Sequence, residues 1–488
     1  MWLVEDINRL PCEVLSHIFV LCKRATCRKR GHPDLFCLTV LPAVCRHWRK
    51  VALDTKILWS IVTLADNPPF YFSELCLDRS GTATPLDIEI YVSNRFWGYK
   101  SKSESEVYRG AMTNALNFIV AHGGTPSRWR NFWLRTPSRI RSIDPQVAAL
   151  NFIGKSSMPT LERFEIEYDS THYANIEKCW RNALSNRPLF CDPLPTCLKV
   201  ARLEWIPNPC LFTEYPQLVG LTRLEIKFPP RLPQLKHIHA LLASSPMLEV
   251  LSIDTRIRQC NHVPSSYSTD QSQLSINLPK VGLPKVRTLG LLFNTNEVFA
   301  SWGYNLLLML DVPNVKYLRL LLESSGFQGR VPVDRRYIQY LTKGPNEDKP
   351  KPLFPLLASI ELFAESRLIM KHLRNPTEEL LEAYPAITTL AVPQRGKLNI
   401  LNVQPWLVPC LDRLIIPSSI VFESKESIYK RCAAGLGLKT VEVLLPDELG
   451  ELDERQMRSG CLEVLDGLGV DVCFGYSGRV REVLGFED

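Results

Sequence analysis

The chain has 488 residues, of which 45% are hydrophobic, 22% charged and 9% aromatic. This ordinary globular balance excludes disorder and collagen-like structure. The formal charge of +7 is local: residues 21–50 carry eight Lys/Arg and one Asp, leaving 58 − 8 = 50 basic and 51 − 1 = 50 acidic groups elsewhere. A neutral remainder argues against a surface built to coat nucleic acid. Fifteen cysteines are scattered with no Cys-x-x-Cys pair. That fits reduced thiols and an intracellular protein, cytoplasmic and/or nuclear. No cationic start precedes an apolar core at the N-terminus and no run of 18 apolar residues occurs, so neither a secretory signal nor a membrane span is expected. The length allows about three domains, or one elongated array with a small module.

The first sixty residues are the most informative. Pro11 suits the first turn of a helix, where its missing N–H costs nothing, and Glu13 favours the positive dipole end. Val14, Leu15, Ile18, Phe19 and Cys22 then share one helical face. A second helix is expected from Pro42, with Val44, Cys45, Trp48, Val51 and Ala52 as its stripe and Arg46, His47, Arg49 and Lys50 on the other side. Leu58 and Trp59 end the unit, and Ile61 begins an apolar, strand-like segment. So few residues make a marginal core alone, so either the following domain or a partner covers part of it.

Three blocks in order, Ile7-Asn8-Arg9-Leu10-Pro11-x-Glu13-Val14-Leu15-x-x-Ile18-Phe19, Val44-Cys45-Arg46-x-Trp48-Arg49-x-Val51-Ala52 and Leu58-Trp59, resemble an F-box. The resemblance covers about residues 5–62. It implies docking onto the Skp-family adaptor of an SCF-type cullin–RING ubiquitin ligase. It also implies that Leu10, Pro11, Val14, Leu15, Ile18, Phe19, Val44, Cys45, Trp48 and Val51 face that adaptor or support the face. The separation of Phe19 from Val44 departs from the family spacing and places an extra basic loop at about Lys23 to Leu38.

That insert holds Cys22, Cys27, His32 and Cys37, with Cys45 beyond it. These spacings are loose for zinc, and Cys45 lies on the helix stripe, so no metal is expected. Lys23-Arg24 and Arg28-Lys29-Arg30 read as a solvated loop, an import signal, a nucleic-acid patch or a contact to an acidic partner. The family's adaptor is acidic, which favours the last modestly.

From residue 70 the pattern changes. Leu77 to Gly81 reads as a turn and Pro85 to Ile90 as an alternating strand, with a helix over Ser105–His122. Apolar residues at i, i+3 and i+5 then recur: Trp129/Phe132/Leu134, Leu161/Phe164/Ile166, Val200/Leu203/Trp205, Leu221/Leu224/Ile226, Leu248/Leu251/Ile253 and Val286/Leu289/Leu291. Val315/Leu318/Leu320, Leu357/Ile360/Leu362, Ile387/Leu390/Val392, Leu411/Leu414/Ile416 and Leu438/Val441/Val443 complete the series. Pro two residues ahead of many copies is tolerated where a strand begins. Helical segments such as Leu235–Ala243 and Thr377–Ala383 lie between copies. A strand with a return helix, repeated, predicts an α/β solenoid over residues 70–488, behind the helical module of residues 1–65. The alternative is a compact α/β domain whose strands match a permissive pattern.

The array resembles irregular leucine-rich repeats, more specifically those that follow an F-box in many fungal proteins. Only Asn294 stands where the regular motif wants Asn or Cys, so the internal asparagine ladder is missing. Residues 255–282 and 342–356 read as exposed insertions. An acidic helix over Asp447–Leu465 and a strand over Val470–Phe474 cap the array.

Phosphate-binding Gly loops, His-Glu-x-x-His and Gly-x-Ser-x-Gly do not occur. His237 and His239, two apart on a helix, point to different sides, and His122-Gly123-Gly124 sits at a helix end. No catalytic residue and no cofactor is expected. The expectation is a non-catalytic substrate receptor, holding a protein target on the solenoid and reaching a cullin through the adaptor. The alternatives are a scaffold whose first helices cap the array, or a nuclear factor using its basic loop.

Overall fold

Three helices, one more than the pattern suggested, build the N-terminal region. The computed structural model describes residues 10–26, 35–65, 68–92, 104–137, 142–168, 188–206, 216–229, 232–256, 278–294, 297–323, 335–345, 350–365, 376–392, 401–446 and 451–476. They fall into two compact units, Met1–Leu221 and Thr222–Asp488.

The first unit opens with α1 (Cys12–Thr26), α2 (Leu35–Val44) and α3 (Arg46–Asp54), then a 3-10 turn over Lys56–Trp59. The single helix expected from Pro42 is thus split. Pro42 lies in the last turn of α2, where its missing N–H weakens the ladder. Cys45 is extended (φ −158°, ψ 173°) and caps α3. The apolar spacing runs across this break, which is why one helix was expected. The expected loop at 23–38 shrinks accordingly: α1 continues through Thr26 and α2 begins at Leu35. Residues 27–34 lie outside the described residues.

Leu15, Phe19, Leu38, Val51, Ala52, Leu58 and Trp59 form one core, completed by Cys76. Fully burying each large side chain is worth about 1.5–3 kcal/mol. Cys76 belongs to α4 (Tyr71–Ser80), which follows β1 (Ile61–Leu64). The turn expected at Leu77–Gly81 is the end of this helix, closed by Gly81 at φ +68°.

The unit continues through β2 (Leu86–Tyr91), α5 (Glu104–Ala121), β3 (Trp129–Thr136), α6 (Asp144–Ile153), β4 (Arg163–Tyr168) and β5 (Val200–Glu204). The strands run parallel in chain order. Their alternation puts Ile88, Phe132, Phe164 and Ala201 in one buried row. Aromatic stacking continues along it, Trp129 on Phe132 at 5.5 Å and Phe132 on Phe164 at 5.7 Å between centroids. One repeat is shifted. Arg163 pairs with Val200, so the apolar triple is Leu198/Ala201/Leu203 rather than Val200/Leu203/Trp205. A two-residue slip keeps the same face, and the small Ala201 hid the register.

The second unit runs β6 (Arg223–Lys227), α7 (Leu235–Ala243), β7 (Val250–Asp254), β8 (Val281–Gly282), β9 (Thr288–Asn294), α8 (Glu297–Met309), β10 (Leu310–Asp311) and β11 (Tyr317–Glu323). Next come α9 (Arg335–Lys343), β12 (Ser359–Glu365), α10 (Pro376–Ala383), β13 (Thr389–Ala391), β14 (Arg413–Pro417), α11 (Val421–Ala433), β15 (Thr440–Leu445), α12 (Glu451–Leu465) and β16 (Asp471–Tyr476). The main strands are ordered β6-β7-β9-β11-β12-β13-β14-β15-β16, and β8 pairs with β10 in a small sheet apart.

The structure is therefore mixed α/β, with an N-terminal helical region and extensive parallel sheet. It does not show the expected solenoid. A recurring apolar triple specifies a strand and its neighbour, but not the curvature or even repeat length that make a solenoid. The connections here are uneven, and one of them inserts β8. Most of the insertion at 255–282 and residues 346–349 of the second insertion lie outside the described residues. So do residues 447–450 of the acidic segment.

Candidate functional site

The ten residues singled out at the N-terminus separate into three sets. Leu15, Phe19 and Val51 are buried in the helical core. They support a surface and are not themselves on it. Val14 and Ile18 are exposed on α1, Val44 is exposed at the end of α2, and Pro11 is exposed ahead of α1. Leu10, Cys45 and Trp48 are half-buried. Trp48 packs its ring on Phe19 at 5.0 Å.

Three exposed apolar positions were missed, Ile57 in the 3-10 turn and two on the helices. Leu21 extends the Val14/Ile18 row of α1, and Val40 precedes Val44 by one turn on α2. Leu21 was legible as the i+7 partner of Val14. Val40 was not, because the α2 helix itself was not expected. Exposed apolar rows at helical spacing over a filled core can bury against a partner helix, and they offer no chemistry of their own.

The Cys45 cap is a weak point under this surface. Its Sγ accepts the Trp48 N–H at 3.4 Å, and sulfur is a poorer acceptor than oxygen. Cys45→Ser is expected to stabilise the region by about 0.5–1 kcal/mol, read as a higher urea midpoint. A lower midpoint would show that sulfur packing outweighs the cap.

The basic segment is not uniformly solvated. Lys23 is buried, and its Nζ donates to the Leu58 carbonyl. Arg46, Arg49 and Lys50 are exposed on α3. Burial pushes the Cys76 thiol up to about 11 against the opposing pull of Lys23 and Arg79, so it stays protonated and unreactive at neutral pH. Among the described residues no group of three or more His, Cys, Asp and Glu side chains is placed to hold a metal ion. His237 and His239 are half-buried on either side of buried Ile238. Burial, helped by Lys236, lowers the His237 pKa, which leaves its ring neutral at pH 7.

The strand face opposite the apolar rows carries paired charges that went unread in the sequence. In the first unit Arg163 meets Glu165 at 3.1 Å, Arg202 meets Glu167 at 2.6 Å, and Arg130 meets Asp87 at 2.6 Å. In the second, Arg223 meets Glu225 at 2.8 Å and Arg319 meets Glu361 at 3.2 Å. Arg-apolar-Glu at i, i+2 is legible, since strand residues two apart share a face. These pairs compensate one another, and in the second unit the same face also carries a buried apolar cluster of Tyr317, Ala391, Ile415 and Leu444.

Residues 7–65 match the F-box-like family model. The chain therefore contains an F-box-like domain, and this domain spans the three helices, the 3-10 turn and β1. No curated protein matches the chain. Among the described residues no helix is long and apolar enough to cross a membrane.

Proposed function

We propose that this protein is a substrate receptor of an SCF-type cullin–RING ubiquitin ligase. The F-box-like domain at residues 7–65 carries the reading, and the exposed rows Val14/Ile18/Leu21 and Val40/Val44 give it an apolar face to bury. In this reading the face docks on a Skp-family adaptor and through it on a cullin. The exposed Arg46, Arg49 and Lys50 favour an acidic adaptor. The α/β region, whose strands follow a leucine-rich-repeat-like pattern, holds a protein target near the charged conjugating enzyme inside the cell. The receptor contributes proximity and no bond-making group.

Pull-down of the full chain with a Skp-family adaptor is the test. Val14→Asp, Ile18→Asp and Val44→Asp are each expected to weaken capture about thirtyfold, as for a buried interface anchor. The protein itself is expected to stay folded, because none of the three side chains belongs to the buried core. Capture unchanged by all three, or no capture of any adaptor, overturns the proposal. A second reading has the helices merely capping the following strands, and the core shared with Cys76 on α4 favours it. It expects no adaptor in the same experiment.

A further inference from the structure

Helix α4 is held firmly along its inner side. Cys76 and Leu77 are buried, Ser73 Oγ donates to the Thr63 carbonyl of β1 at 2.7 Å, and Ser80 Oγ accepts from Arg128 Nη2 at 3.1 Å. The outer face carries Tyr71, Glu74 and Asp78 at i, i+3 and i+7, which stacks them along one side of the helix. Tyr71 is 74% exposed, Asp78 is exposed and Glu74 is half-buried. The end of α5 prolongs this surface. Phe118 packs on Phe70 at 5.0 Å and on His122 at 4.4 Å between ring centroids. His122 Nδ1 stands 3.6 Å from Glu74 Oε1. Half-buried Phe70, Phe118 and His122 thus form an aromatic seam beside the two carboxylates.

The charges around this surface say what it takes. Asp78 has no ion-pair partner among the described residues. The neighbouring arginines are engaged elsewhere: Arg79 lies over the Trp59 ring at 4.2 Å, and buried Arg128 donates to the Thr84 and Gly123 carbonyls. His122 offsets Glu74 only when its ring is protonated. Two carboxylates therefore stand beside accessible aromatic faces, and neither is paired with a lysine or arginine of the described residues. That set suits a guanidinium, which is planar and weakly hydrated. It stacks on an aromatic ring and pairs with carboxylates at the same time. A lysine ammonium is a strongly hydrated point charge and gains less from the rings.

We propose that this face, built on Tyr71, Glu74 and Asp78 with Phe118 and His122 beside them, docks an arginine-bearing peptide segment of a partner protein. It lies beyond residue 65, where the family match ends, and does not rest on the adaptor reading. The guanidinium stacks on the Tyr71 ring and pairs with the carboxylates of α4, while the rest of the segment lies along the aromatic seam. Because α4 is clamped at Ser73 and Ser80, the carboxylates are positioned before binding, which lowers the ordering cost. Two helical turns bury less than a standard interface, so the contact is a weak one.

Fluorescence anisotropy of a short labelled polyarginine peptide with the full chain tests this, with circular dichroism to confirm folding. Polyarginine is expected to bind, polylysine of the same length about threefold more weakly, and polyglutamate not at all. Glu74→Gln with Asp78→Asn is expected to weaken polyarginine binding at least about tenfold, and Tyr71→Ala about threefold. Neutralising two exposed carboxylates elsewhere, Glu423→Gln with Glu426→Gln on α11, leaves binding unchanged. A wild-type chain that does not bind polyarginine overturns the proposal. Binding indifferent to Tyr71→Ala or to the α4 pair overturns it as well, as does an equal loss in the α11 variant or equal binding of polylysine, since each reduces the contact to diffuse charge attraction. Val14→Asp leaves polyarginine binding intact and the α4 pair leaves adaptor capture intact, so this proposal and the adaptor reading fail separately.

Discussion

Replacing Trp59 with alanine is expected to destabilise the N-terminal helical region by about 3–5 kcal/mol. Trp59 is almost fully buried in the core that α1, α2, α3 and α4 share. Its Nε1 donates to the Ala52 carbonyl at 2.9 Å near the end of α3, and the Arg79 guanidinium lies 4.2 Å from its ring. The substitution leaves a large void, an unpaired helix carbonyl and an arginine without its aromatic face. Three separate costs thus fall on one site. A urea titration followed by circular dichroism is the measurement, and a loss below about 1 kcal/mol would falsify this account of the core. Adaptor capture is expected to fall with stability here. In Val14→Asp it falls without a stability change, so the pair separates folding from docking.

Asp254→Ala is the second large effect. The Asp254 carboxylate is buried and accepts three hydrogen bonds from Arg256: from the backbone N–H at 2.9 Å, from Nε at 2.9 Å and from Nη2 at 2.7 Å. Burial alone pushes this carboxyl up. The Arg256 charge and hydrogen bonds, with help from Lys227, outweigh it and hold the pKa below the ordinary carboxylate value. The alanine variant strands a largely buried guanidinium, at a cost of about 3–5 kcal/mol at neutral pH. The direction of the shift also sets the pH window. Because the folded carboxyl titrates below the unfolded one, its contribution is complete above the unfolded value near 3.8. It is lost as pH falls through the folded value. Wild type and variant are therefore expected to converge in stability as the solution is acidified, and parallel curves down to low pH would count against the pair.

The strands were legible because a parallel strand in this chain needs only three apolar residues on one face, and that pattern recurs with Pro ahead of it. β5 shows the limit: two registers of equal parity fit the same residues, and only pairing with β4 chooses between them. The helices were harder. Leu235–Ala243 stood out by its regular spacing. Leu35–Val44 did not, because it is apolar almost all round and its neighbour Cys45 continues the same stripe across a break. Curvature was not legible at all, since it depends on connections whose lengths follow no period. At the candidate docking face, the residues singled out in the sequence fall ahead of α1 and on or beside α1, α2 and α3. The sequence could not separate Val14 and Ile18, which lie outside, from Leu15 and Phe19, which lie inside. All four sit within adjacent turns of one helix, and only the position of α2, α3 and α4 decides which side is inward.

The core that Cys76 completes has a consequence for the domain boundary. The stretch that carries the family pattern ends at residue 65, whereas the side chains closing its core, Phe72, Leu75 and Cys76, come after it. The segment that matches the family is thus shorter than the set of residues whose side chains pack into this core. Here α4 supplies the apolar lid that closes the core.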